Sequence, residues 1–167
     1  MGATEWYPAG RLVGWAALMA GALAALLILF IGYDQETYRE SIRQILQHSA
    51  FKELDRDGTL LTEENVAKLA AVLARALPAA IAVVWLVITL FNLWIAGLIV
   101  DASGRALMPW PDLNAFELPN GLVVVFAVAL AASFLPGLAG LIATGLAGAL
   151  LLAYVLQGLA VIHVYSR

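Results

Sequence analysis

The chain has no cysteine. Disulfides, thiolate metal sites and a cysteine nucleophile are therefore excluded. Charge is almost as scarce. Only 13% of the 167 residues are charged, against about 25% in an ordinary soluble domain. The formal charge of −3 comes with no basic cluster, so nucleic acid is not an expected partner. No carboxylate, lysine or arginine lies well inside any of the long apolar runs. That argues against a proton relay of acids and against a voltage sensor. No acid–base pair, metal cluster or nucleophile constellation is visible, and Ser133 with His163 lacks a nucleophile turn. The chain reads as a non-enzyme with no cofactor.

What is present is apolar. Hydrophobic residues make up 63% of the chain, and the mean hydropathy is +0.90. Leu12–Tyr33 and Ala76–Val100 carry nothing ionised, and Leu118–Ser166 holds only His163 and two tyrosines as titratable groups. A spanning helix needs about 20 apolar residues. The first two runs fit one span each. The third fits two, divided at Ser133–Gly140 ("SFLPGLAG"), where proline and glycine together break a helix. The expected fold is all-α: a polytopic transmembrane bundle forming one membrane domain. Its spans lie near 12–33, 78–100, 119–135 and 140–164, the third being the shortest. The first apolar run is too long for the core of a signal peptide and is read as a retained span.

Residues 34–75 form the only long polar stretch, and it is patterned. Tyr38, Ile42, Ile45, Leu46 and Leu54 recur at helical spacing, and Val66, Leu69, Leu73 and Leu77 repeat the pattern after a break. Thr62 ahead of Glu63 and Glu64 makes a good helix start. The expectation is an amphipathic helical hairpin that lies on the membrane or packs over the mouth of the bundle. Its second helix can continue through Pro78 into the next span. Glu53–Glu64 can also be laid on the calcium loop of an EF-hand, with Glu53, Asp55, Asp57 and Glu64 at ligand positions. A glutamate at the first position changes the reach, and a Thr62 cap accounts for the same residues without metal. The capped turn is the preferred reading.

Polar groups inside the spans are few. Asn92, Thr144 and Gln157 are the candidate substrate-pathway residues, although a lone Asn or Gln in a span more often bonds a neighbouring helix. The last span is crowded with small residues at four-residue spacing. Ala139, Ala143, Gly145 and Gly148 mark a helix-packing face that serves either this chain or another subunit. Between spans two and three, Asp101–Pro119 holds three prolines, Arg105, Trp110, Asp112 and Phe116. Its prolines stop helix continuation, its aromatics suit headgroup depth and Asp112 suits a turn. It reads as an interfacial connector. Lys and Arg are more frequent in the hairpin than on the opposite side, which favours a cytoplasmic hairpin.

The order of "EWYPAGRL" (Glu5–Leu12), "NLWIAGLIV" (Asn92–Val100), "ASGR" (Ala102–Arg105), "PWPDL" (Pro109–Leu113), "ELP" and "SFLPGLAGLI" (Ser133–Ile142) resembles the proteobacterial branch of the YybS-like predicted membrane proteins. This is a domain family of unknown function, distantly similar to the substrate-binding membrane subunits of energy-coupling-factor transporters. The resemblance implies a multi-pass protein of a bacterial inner membrane. It also implies that the chain is a C-terminal portion or a shortened form of a longer member. It supplies no catalytic or ligand residues. Two functions are carried forward. The first is a transport-related membrane subunit acting with partners. The second is a scaffold or assembly subunit that binds other membrane proteins or a second copy of itself.

Overall fold

The computed structural model describes residues 8–32, 34–48, 62–104 and 116–166, all of whose regular structure is helical. Helix α1 is Ala9–Ile31, α2 is Gln35–His48, α3 is Glu63–Ala102, α4 is Gly121–Ala132 and α5 is Leu138–Tyr165. Arg105, Trp110 and Asp112 of the connector lie outside the described residues, as do Glu53, Asp55 and Asp57 of the calcium-like loop.

Helix α1 follows Pro8 and ends where Gly32 turns extended. Its buried residues are Gly10, Val13, Gly14, Ala17, Ala20, Gly21, Ala24 and Ile28, a stripe at helical spacing made mostly of Gly and Ala. Trp15, Met19, Leu26 and Phe30 point out and are exposed. The same inversion runs through the molecule. Small residues line the interfaces, and Trp85, Phe91, Trp94, Val124 and Ile162 face away. In water such a surface would drive aggregation. In lipid, tails solvate large apolar side chains as well as a core does, so small residues that let helices approach closely win the interface. Three helices, α1, α3 and α5, are long and apolar enough to cross a membrane, and α4 is a shorter apolar one. This is a helical membrane bundle.

Helix α3 runs 40 residues without a break, about 60 Å at 1.5 Å per residue and twice the hydrocarbon thickness of a bilayer. Two different helices are fused in it. The first part buries Val66, Ala70 and Ala74, and the second buries Pro78, Ala82 and Leu86. Pro78 is compatible with continuity because only one ladder hydrogen bond is lost and the rest hold the axis. The start of α3 is capped: the Thr62 hydroxyl accepts from the Asn65 amide at 3.4 Å. The turn before α2 is closed by Asp34, whose carboxylate accepts from the Thr37 amide and the Thr37 hydroxyl, both at 2.8 Å. Those hydrogen bonds, the backbone one foremost, hold the Asp34 carboxyl below its ordinary pKa.

Two apolar clusters follow. Tyr38, Ile42 and Leu46 of α2 meet Val66, Ala70 and Ala74 of α3, and Ile28 and Leu141 join them from the bundle. The hairpin is therefore docked on the end of the bundle through its own core. Burial raises the Tyr38 hydroxyl pKa. The second cluster joins Val13, Ala17, Ala20 and Ala24 to Ala82, Leu86, Leu118, Leu122, Ala149, Leu150 and Ala153.

Helix α4 is shorter than its expected span. It covers Gly121–Ala132, because Pro119 and Asn120 precede it and the turn at Ser133–Gly137 ends it. Its 12 residues measure about 18 Å, against a hydrocarbon thickness of about 30 Å. Its flanks complete the passage. The Glu117 carbonyl lies against Gly10 and Leu122 against Gly14, at the start of α1. Ser133–Gly137 share a cavity with Gln35, Arg39 and Arg75, at the opposite end. The flanks of α4 thus reach both ends of the bundle.

Candidate functional site

Where the hairpin meets the bundle, the elements do not close. A cavity of about 530 Å³ remains between α2, α3, the α4–α5 turn and the first turns of α5. Gln35 and Arg39 line it from α2, Val72 and Arg75 from α3, Ser133–Gly137 from the turn, and Gly140, Leu141 and Thr144 from α5.

The turn creates this space. Gly137 has φ +82°, a left-handed conformation that only glycine adopts without strain, and it swings the chain into α5. No side chain caps α5, and its first turn carries no acid. The positive end of a 28-residue helix therefore borders the cavity without a side-chain cap or an acid, with a dipole equivalent to about half an elementary charge. By contrast, α2 and α3 begin at Asp34 and Thr62, whose side chains accept from backbone amides. The hydroxyls in the lining are turned inward. Ser133 Oγ donates to the Leu130 carbonyl and Thr144 Oγ1 to the Gly140 carbonyl, each at 2.7 Å. Their oxygens remain acceptors.

Among the described residues, the lining holds two guanidinium groups and no carboxylate. Arg39 has one competitor, Glu36, at 3.6 Å on the exposed side of α2. Among the described residues, Arg75 forms no ion pair. Cations, a helix N-terminus and the absence of acid in the lining all give one sign of potential. The site is suited to an anion. Its rim is apolar: Phe134 is 76% exposed and Val72 65% exposed.

The three candidate pathway residues are not brought together. Thr144 lines the cavity. Gln157 lies on the same helix 13 residues further on, about 20 Å away. There it is half-buried with its Oε1 unpartnered, and the Tyr154 hydroxyl one turn earlier is also unpartnered. The Tyr154 ring leans on Phe126 with centroids 5.6 Å apart. Asn92 is exposed on α3 beyond Leu86, the last buried residue of that helix, near Phe91 and Trp94, whose rings sit 5.8 Å apart. The small-residue face of α5 points into this chain. Ala143 and Gly145 are buried, Gly145 approaching Ala24 and the Pro78 carbonyl, while Gly148 is half-buried against Ala79 and Ala139 is exposed. Glu64 pairs with Lys68 at 2.7 Å on an exposed helix face.

Arg39 and Arg75 counted in the sequence only as charges that bear on orientation. Two signals for the cavity were present. Arg75 is the last charge before an apolar run, and "LPG" opens a helix with no Ser, Thr, Asp or Asn at its start.

Over residues 10–167 the chain matches the family model described as predicted membrane protein (DUF2232). No curated protein and no solved structure matches it.

Proposed function

Because the chain belongs to the DUF2232 family of predicted membrane proteins, we propose that it is a non-catalytic, transport-related subunit of a bacterial inner membrane that binds a ligand and works with partner proteins. The observation that carries this reading is the cavity under the hairpin. It is a ligand-sized space of about 530 Å³ at the end of a membrane bundle, with polar groups converging on an apolar lining. Thr144 is the pathway candidate that lines it. The resemblance of the "EWYP…ASGR…PWPDL…SFLPG" series to proteins distantly similar to energy-coupling-factor binding subunits points the same way, at the level of fold analogy.

The test is native purification in mild detergent, with mass spectrometry of co-purifying lipids, small molecules and proteins, followed by a broad thermal-shift screen. A bound or stabilising compound together with a stoichiometric partner is the expected result. A protein that binds no small molecule, with or without its partners, refutes the reading.

The scaffold reading is favoured by a different observation. Beyond Leu86, none of the described residues of α3 is buried, and that stretch presents Phe91, Asn92, Trp94, Leu98 and Ile99 outward. Under this reading a partner helix covers that face, and Trp94→Ala with Phe91→Ala releases it while ligand binding is unaffected.

A further inference from the structure

We propose that the cavity between the hairpin and α5 binds a phosphate-class anion, with Arg39 and Arg75 as its contacts. This inference deepens the ligand-binding reading above and rests on it. The two arginines come from different helices and line one space that no carboxylate lines among the described residues. Guanidinium forks match phosphate oxygens with paired hydrogen bonds, which a single ammonium cannot do. The first turn of α5, which has no side-chain cap, borders the same space through Gly137 and Gly140 and adds positive potential to it. The hydroxyl oxygens of Ser133 and Thr144 have given their protons to backbone carbonyls, so they offer no further donor to the anion. Arg39 and Arg75 carry the binding, supported by the potential of the α5 N-terminus.

The location selects among anions. The cavity lies where the α1 apolar run ends at Ile31 and where Arg75 precedes the apolar part of α3, which is the level of a lipid headgroup. Val72, Phe134 and Leu135 border it and are exposed. Two exposed arginines beside an apolar rim fit an amphiphile whose phosphate meets the guanidinium groups while its chain stays in the bilayer. A free phosphate or phosphorylated solute shares the head chemistry and lacks the chain.

The experiment uses the full chain in nanodiscs and in mild detergent. One arm compares retention of phosphatidylglycerol and phosphatidylcholine by native mass spectrometry. The other titrates inorganic phosphate against thermal unfolding. Wild type is expected to retain phosphatidylglycerol in preference to phosphatidylcholine, and Arg39→Gln and Arg75→Gln each to weaken retention about tenfold or more. Arg75→Lys should restore only part of it, because the charge returns without the fork. Glu36→Gln should strengthen retention, since it removes the competitor 3.6 Å from Arg39. Arg11→Gln, at the far end of α1, should change nothing. Stabilisation by phosphate that is lost in the arginine variants, without selective lipid retention, supports the same site with a soluble source.

Equal retention of the two lipids with no phosphate effect overturns the proposal, as does phosphatidylglycerol retention unchanged in a folded Arg39→Gln/Arg75→Gln protein. A neutral or cationic compound bound in the cavity would overturn it too, while leaving the ligand-binding function standing.

Discussion

The close crossing of α3 and α5 offers a measurable test of the packing argument. A Cβ added to Gly148 would stand 2.8 Å from Ala79 Cβ and 3.0 Å from Ala79 Cα. Packed carbons rest about 3.5–4.0 Å apart, so the overlap is roughly 0.5–1 Å. The obstacle is backbone and a methyl group, neither of which can rotate away. Overpacking of this kind costs about 1–3 kcal/mol. Alanine in place of glycine returns about 1 kcal/mol of helix propensity, so Gly148→Ala alone should lose only about 0–2 kcal/mol. Gly158 removes the ambiguity. It lies on the same helix, with nothing within 4 Å of the added Cβ. The propensity gain cancels between the two sites, and Gly148→Ala should be less stable than Gly158→Ala by about 1–3 kcal/mol. That is a factor of about 5–150 in the unfolding constant.

Reversible unfolding in mixed micelles of mild detergent and dodecyl sulfate, followed by tryptophan fluorescence, measures it. Ala79→Gly should cost less in the Gly148→Ala protein than in the wild type, because one of the two close carbons disappears while the loss of helix propensity is the same in both. A difference below about 0.5 kcal/mol, the ordinary scatter of additivity, would mean that α3 and α5 do not cross as closely as described.

Three further outcomes are expected. Tyr38→Ala should cost about 3–5 kcal/mol, the range for losing a buried aromatic, because Tyr38 is 1% exposed in the hairpin core. Limited proteolysis should then cut within 35–48 before it cuts the spans. Thr62→Ala should cost about 0.5–1 kcal/mol and raise amide exchange at Asn65 and its neighbours, since an exposed cap acts locally. The depressed pKa of Asp34 sets a pH dependence. A carboxyl lowered in the folded state contributes stability above its unfolded value of about 4 and loses it as pH falls through the folded value. Exchange protection at the start of α2 should decline below about pH 4, and Asp34→Asn should lose that acid-dependent change.

The span pattern was legible because it rests on composition alone. A run such as Leu12–Tyr33 can only be solvated by lipid or buried, whatever surrounds it. The hairpin was legible for a related reason: Tyr38, Ile42 and Leu46 fall on one face of any α-helix. The Thr62 cap and the break at Ser133–Gly137 are local chemistry, read directly from residue type. Continuity through Pro78 could be anticipated but not located, since a proline ends one helix and is tolerated in another according to what packs around it. Helix α4, Gly121–Ala132, lies within its expected span of 119–135 and is shorter than it. Hydropathy counts Phe134 and Leu135 as span, whereas their amides bond three residues back, as in a turn.

The candidate site was the less legible part. Asn92, Thr144 and Gln157 were chosen because a polar residue in an apolar run stands out, and that criterion has no direction in it. Which side of a helix faces a cavity depends on its rotation against its neighbours, which a single sequence does not encode locally. Ala143 and Gly145 could likewise have served a partner or this chain. The fold buries both, and Gly145 packs against Ala24 and Pro78. The sequence by itself determined a membrane protein, its apolar segments and a capped amphipathic hairpin, because these follow from transfer free energy and from residues close in the chain. Only the tertiary structure brought Arg39, Arg75 and the uncapped start of α5 around one cavity. Those groups are separated by some 36 and 63 positions in the chain, and what joins them is packing between helices, which is set by the shapes of whole faces.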